Sequence, residues 1–305
     1  MNLTTFGMGV NHTDVPLLQK NPPLAITYIT ILSVCGVSGT FGNILVIVSI
    51  LATKKIRTIG NMFILNLAVA DLLVCSVLDS SAVTGAILGK MFYDDRPVLC
   101  EVAGGLVVIS CLASIAGVAL VSFHRFVHIC FSVYCDKLFT RLSTSVLIAV
   151  VWTITILSDV RYLLKWHSRG HGFDFKVEQC FYDRHANSVI LKIFALLAFV
   201  AVTVSYSAIF CFVRSHRLMS QARQSDSIKL AHTSLVIVIS VYVCIMPYTV
   251  VTIIDKTDSL GQEVYLLTIA IAYLSSSLNW MIYGLANQQF RAAFKNTLNS
   301  IKCWK

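Results

Sequence analysis

The sequence predicts an all-α membrane protein, a seven-transmembrane helix bundle followed by a short amphipathic helix. Hydrophobic residues make up 56% of the 305-residue chain and charged residues only 13%, with a mean hydropathy of +0.76. A soluble domain keeps about a quarter of its residues charged to cover its surface. Seven apolar stretches, near residues 25–52, 61–88, 100–129, 142–165, 186–213, 229–254 and 263–285, are long enough for helices that cross a bilayer core, which needs about 20 residues. Three parts follow: an N-terminal segment over 1–24, the membrane domain over 25–285, and the amphipathic helix with a short tail over 286–305.

Charge sets the expected orientation. The net charge is +9, and fourteen of the 24 lysines and arginines fall on the side of the first loop (Lys54, Lys55, Arg57) and the C-terminus (Arg291, Lys295). By the positive-inside rule that side is cytoplasmic and the N-terminus extracellular, with the plasma membrane the expected location. Two glycosylation acceptors, Asn2-Leu3-Thr4 and Asn11-His12-Thr13, lie in the N-terminal segment and agree with that orientation. With no signal peptide ahead of it, helix 1 itself is expected to direct insertion.

Helix 1 carries Gly42 and Asn43 within its apolar run. In helix 2, Asp71 stands in Asn66-Leu-Ala-Val-Ala-Asp-Leu-Leu-Val-Cys75. An acid at the centre of a membrane helix costs roughly 2.5–3.5 kcal/mol on insertion scales and marks an ion, a proton or a partner inside the bundle. Helix 3 starts near Cys100 and ends near Arg125. Of the ten cysteines, Cys35, Cys75, Cys111, Cys130, Cys211 and Cys244 fall in membrane segments, where cysteine acts as a small hydrophobe. Cys100 and Cys180 both face the oxidising side, so a bridge between them is the simplest pairing. Helix 4 carries Trp152, and helix 6 carries Pro247, which removes a backbone donor and is expected to kink the helix into a hinge. Helix 7 holds Ser276, Asn279 and Tyr283. After it, Phe290, Phe294, Leu298 and Ile301 recur at helical spacing with Arg291 and Lys295 between them, an amphipathic helix expected to lie on the membrane surface. Cys303 beyond it is a candidate palmitoylation site or a free thiol.

In this order, Gly42-Asn43, Leu67-Ala68-Val69-Ala70-Asp71-Leu72, Arg125, Trp152, Pro247 and Asn279-Trp-Met-Ile-Tyr283 resemble the signature positions of rhodopsin-like (class A) G-protein-coupled receptors across nearly the whole chain. Ile129-Cys130-Phe131-Ser132 followed by Asp136-Lys137-Leu138, together with Tyr283-Gly284-Leu285-Ala286-Asn287-Gln288-Gln289-Phe290-Arg291, is similar to melatonin-type receptors and their invertebrate relatives.

The resemblance implies roles. Arg125 is expected to hold the bundle at rest and meet the G protein when active, a task suited to a long, permanently charged guanidinium that exchanges partners at a wet crevice. The family's acid before it is replaced by His124, so an internal acid–arginine restraint cannot form. Asp71 with Ser114, Ser276, Asn279 and Asn43 matches the family's sodium pocket, an oxygen-rich set suited to a hard cation; the alternative is a neutral, hydrogen-bonded acid. Ser275 replaces an amide oxygen there. Ile245, Val204, Phe212 and Trp280 stand in place of the family's toggle tryptophan, helix 5 proline, inner tyrosine and helix 7 proline.

For the ligand, Val107 stands where amine receptors carry an aspartate, with Val108 and Cys111 beside it, and Tyr273 stands where an opsin needs its lysine. The pocket floor therefore suits a flat, apolar ligand with few polar handles. Tyr162, Arg184 and Val200 occupy the places of melatonin receptors' polar contacts, and Tyr182 that of their loop aromatic, so the ligand site is expected to be altered. An anionic ligand group paired with Arg184 or Lys192 competes with charges that simply snorkel, Asp159 and Arg161 among them. The expected partners are a heterotrimeric G protein, a small-molecule ligand and the bilayer, with no nucleic acid and no cofactor beyond a possible sodium ion. A transporter or channel using Asp71 is the rival reading, although no internal repeat supports it. No nucleophile–base pair, metal cluster or phosphate loop points to an enzyme.

Overall fold

The computed structural model describes residues 15–163, 171–182, 184–215, 221–255, 257 and 259–302. Asn2, Asn11 and Cys303 lie outside these residues. Seven of the described helices are long and apolar enough to cross a membrane: helix 1 (Pro22–Ala52), helix 2 (Ile59–Asp94), helix 3 (Pro97–Cys130), helix 4 (Arg141–Leu163), helix 5 (Arg184–Ser215), helix 6 (Gln221–Ile254) and helix 7 (Gln262–Ala286). Helix 3 packs on helices 2, 4, 5 and 6, and helix 7 closes the ring by packing on helices 1 and 6. Large apolar side chains such as Val37, Phe41, Leu142, Leu157, Leu197, Phe210 and Ile254 point away from the bundle, forming the sheath that lipid requires.

The sequence reading placed no strand in this chain, and it passed over short helices at Leu17–Lys20 and Ser132–Leu138. Strands β1 (His171–Asp174) and β2 (Gln179–Tyr182) pair antiparallel, with Phe173 opposite Cys180, and form a hairpin between helices 4 and 5. The disulfide Cys100–Cys180, with Cα atoms 5.3 Å apart, ties β2 to the start of helix 3. A four-residue helix, Leu17–Lys20, completes this end of the bundle, with Leu17 fully buried.

At the opposite end, helix 7 runs into the amphipathic helix Gln288–Lys302. Its apolar face is not given wholly to the membrane: Phe290 is fully buried, Ala293 and Phe294 nearly so, and Phe290 stacks on Tyr283 of helix 7 with ring centroids 5.2 Å apart. Ser49 of helix 1 and Thr297 share a hydrogen bond of 3.0 Å that pins the helix to the bundle.

Helix 2 contains a π turn at Val74–Leu78. Residues eight apart on a regular α-helix lie about 80° apart around its axis, and a wider i→i+5 turn removes that offset. Asp79 therefore returns to the face that carries Asp71, and both are buried, at 2% and 0% exposure.

Trp280, in the place of the family's helix 7 proline, has a matching vacancy on helix 1. A Cβ on Gly42 would lie 2.0 Å from its Cγ, and Phe41 meets the indole edge-on at 6.1 Å. The helix is spared a proline, and the indole fills the gap over a glycine. Gly42→Ala is expected to cost about 1–3 kcal/mol by overpacking. Combining it with Trp280→Ala should recover most of that loss, since contacting residues are not additive. Thermal unfolding of the two single variants and the double variant checks the coupling.

Candidate functional site

The hairpin lies across the mouth of the bundle. Gln179 of β2 donates to the Tyr273 hydroxyl of helix 7 (2.5 Å), and Tyr28 of helix 1 donates to the Val177 carbonyl (3.2 Å). Lys176 donates to the Leu260 carbonyl (2.5 Å). Glu178 sits at the tight turn with φ +54°, a left-handed conformation uncommon for a residue with a side chain. Its carbonyl lies so close to helix 2 that a Cβ on Gly85 would come within 1.8 Å, so only glycine fits there.

Glu178 is 4% exposed and accepts a 2.6 Å hydrogen bond from Gln262 Nε2. Burial pushes its carboxyl up to about 7, with Asp174 of β1 adding to the rise while Gln262 and Lys20 of the short helix oppose it. The folded value lies above the unfolded carboxylate value of about 4.3, so the stabilisation is complete below that pH and is lost as pH rises through 7. The closed hairpin is expected to loosen between pH 5 and pH 8 by on the order of 3 kcal/mol. Hydrogen exchange at residues 171–182, corrected for intrinsic rates, measures this; Glu178→Gln should remove the pH dependence.

Beneath the hairpin lies a cavity of about 100 Å³. Val107, Val108 and Cys111 of helix 3 and Tyr273 of helix 7 line it, together with Phe181 of the hairpin and Ile245, Tyr248 and Thr249 of helix 6. Its walls are mostly apolar, and its deepest part reaches Ser114, Ser275 and Ser276. Val200, expected in the pocket, is not there. On helix 5 the buried stripe is Ala198, Val202, Ser205 and Ile209, spaced four, three and four residues apart, and Val200 lies off it, 49% exposed. The side chains of Tyr162, Tyr182, Arg184 and Lys192 lie outside the described residues. Asp159 is fully buried in helix 4, which removes the expectation that its carboxylate snorkels to the interface.

One helical turn below the cavity, Asp71 is fully buried. Ser114 Oγ donates to its Oδ1 at 2.8 Å and Asn279 Nδ2 to its Oδ2 at 2.7 Å, joining helices 2, 3 and 7. Asn43 does not reach the carboxylate: its amide donates to the Gly39 carbonyl (2.9 Å) and the Ser276 carbonyl (3.1 Å), fastening helix 1 to helix 7. Asn279 Oδ1 is buried without a hydrogen-bond partner. Asn66 accepts from the Trp152 indole at 2.8 Å, linking helices 2 and 4.

At the amphipathic-helix end, Arg125 is 4% exposed and its Nε has no hydrogen-bond partner. Among the described residues the one ion pair is Lys90 with Asp94, so no carboxylate neutralises it. His124 lies between Phe63 and Phe139, at centroid distances of 5.4 and 5.0 Å, and stacks near His128. The residue that replaces the acid is thus an aromatic packing element. Tyr283 Oη is buried and unpartnered nearby. Pro247 lies within one unbroken helix 6.

Sequence reasoning passed over Asp79, Glu178, Gln179 and Phe181. Both carboxylate oxygens of Asp79 are buried without a hydrogen-bond partner, and its Cβ lies 3.2 Å from where a Cβ on Gly36 would stand. Its signal was the same as that of Asp71, an acid inside an apolar run. The hairpin residues gave none, because their roles arise from contacts far along the chain.

A bundle of seven membrane-spanning helices with a disulfide-tethered hairpin over a central cavity, and a buried arginine at the far end, defines a seven-transmembrane receptor. The chain belongs to the rhodopsin family of seven-transmembrane receptors, whose family model matches residues 42–283. Among curated proteins it is similar to melatonin receptor type 1A of Mus musculus, 27% identical over 300 residues that cover 91% of this chain and 82% of that one. Melatonin receptor type 1C of Gallus gallus is 27% identical over 288 residues, covering 88% and 80%. In fold it resembles the crystal structure of squid rhodopsin, with a TM-score of 0.78 at 22% identity over 95% of this chain and 91% of that one. In sequence the chain is similar to melatonin receptors, and its membership of the rhodopsin family does not favour the transporter or channel alternative.

Proposed function

We propose that this receptor passes an extracellular small-molecule signal to a heterotrimeric G protein at the plasma membrane, with its N-terminus outside and the hairpin end as the ligand entrance. The observation that carries this reading is the continuity of the apolar cavity with Ser114 and Ser276, the neighbours of Asp71. A ligand seated there presses on helices 3, 6 and 7 together, and any differential contact shifts the bundle between its states. The ligand is flat and largely apolar, to match the mostly apolar walls of the cavity. The glycans on Asn2 and Asn11 and the acyl chain on Cys303 belong to the same proposal.

Asp71, Ser114 and Ser276, with the unpartnered Asn279 Oδ1, offer an oxygen set that fits a sodium ion. Such an ion supplies the positive charge that the buried carboxylate lacks. Reconstitution with a panel of G proteins tests the coupling: receptor-dependent nucleotide exchange is expected without ion or solute flux across the same vesicles. Flux without exchange overturns the reading.

A further inference from the structure

We propose that the groove between the end of helix 1 and the amphipathic helix is a binding site for the headgroup of an anionic phospholipid in the adjacent leaflet. The groove has a volume of about 620 Å³ and is lined by Val48, Ala52, Thr53 and Lys54 on one side and Asn296, Thr297 and Ser300 on the other. Its two ends differ in chemistry. Val48, 40% exposed, faces the region of the acyl chains together with Leu51 and Leu298, whereas Lys54, Asn296 and Ser300 form an exposed polar rim past the last turn of helix 1.

Charge identifies the occupant. Residues 53–60 and 286–305 contain Lys54, Lys55, Arg57, Arg291, Lys295, Lys302 and Lys305, and neither segment has an aspartate or glutamate. Two of these cations are already used. Arg57 donates to the Leu51 carbonyl and Arg291 to the Leu285 carbonyl (3.0 Å), so each satisfies the open end of a membrane helix. Lys54, Lys55 and Lys295 are exposed and take part in no ion pair among the described residues. A basic cluster at the membrane edge of an amphipathic helix attracts anionic lipid at about 1 kcal/mol per basic residue near the surface. The groove adds what a bare cluster lacks: a walled space lined by Thr297, which the Ser49 hydrogen bond holds in place, and a rim that carries an ammonium, an amide and a hydroxyl for phosphate oxygens. Occupancy clamps the amphipathic helix to helix 1, independently of G protein coupling.

The test uses the purified full-length receptor titrated with dioctanoyl phosphatidylinositol bisphosphate, read by native mass spectrometry and by thermal stability. Saturable binding is expected. Lys54→Gln should weaken it about fivefold, the equivalent of ~1 kcal/mol. Ser300→Trp, which fills the groove without changing charge, should weaken it at least as much. Lys137→Gln, at a lysine in the short helix Ser132–Leu138 after helix 3, serves as the control for general attraction and should leave the affinity unchanged. Equal losses in Lys54→Gln and Lys137→Gln, or no loss in Ser300→Trp, overturn the site. Equally tight binding of the free inositol phosphate headgroup overturns the membrane lipid as its occupant.

Discussion

Arg125→Ala is expected to lower receptor-dependent nucleotide exchange strongly while leaving the melting temperature unchanged or raised. Arg125 is buried and has no carboxylate partner among the described residues, so its desolvation is not repaid by an ion pair at rest. Removing it relieves that cost. The same guanidinium supplies up to five donors once the crevice opens, and losing a charge-assisted bond worth ~1.5–3 kcal/mol lowers exchange about ten- to a hundredfold. Arg125→Lys keeps the charge without the planar fork and should fall between wild type and Arg125→Ala. His124→Asp should lower basal exchange by giving the arginine the neighbour it lacks, at the expense of the packing of His124 on Phe63 and Phe139. A coincident loss of exchange and of folded protein in Arg125→Ala would instead make the arginine a structural residue. Exchange in vesicles and thermal unfolding, measured on the same preparations, separate the two outcomes.

The parts of this receptor that were legible in its sequence are those fixed by the bilayer. Spans that must satisfy every backbone group internally announce themselves as long apolar runs, which is why seven helices and their order followed from composition and spacing. Asp71 was legible because a buried acid has few innocent explanations. Asp79 obeys the same rule, but the face it takes depends on a π turn at Val74–Leu78 that no residue in that run signals. The hairpin was not legible, since its residues are held by contacts such as Gln179 with Tyr273, 94 positions apart, rather than by a strand pattern of useful length. Val200 was misplaced because a count of residues gives the depth along a helix and not its rotation. The inward stripe of helix 5 had to be seen before its face was known. Trp280 shows the converse case: a departure from the family pattern becomes intelligible only through Gly42, on another helix.

Asp71→Ala should be the most destabilising single change in the polar core. It leaves the Ser114 hydroxyl and the Asn279 amide, both buried, without their acceptor, and each orphaned donor costs about 1–3 kcal/mol. Asp71→Asn is the informative companion. Its carbonyl oxygen still accepts from Ser114, and its amide can donate to Asn279 Oδ1, which has no partner at present, once the Asn279 side chain turns over. Most of the lost stability should therefore return in Asp71→Asn, although the negative charge does not. That separation distinguishes hydrogen bonding from ion binding. The wild type should gain thermal stability when sodium chloride replaces choline chloride at constant ionic strength, because a ligand that binds only the folded state stabilises it by mass action. Asp71→Asn should be as stable in either salt. A wild type indifferent to the exchange of salts would leave Asp71 as a hydrogen-bonded tie between helices 2, 3 and 7, with the cavity above it linked to the rest of the bundle through Ser114 and Ser276 alone.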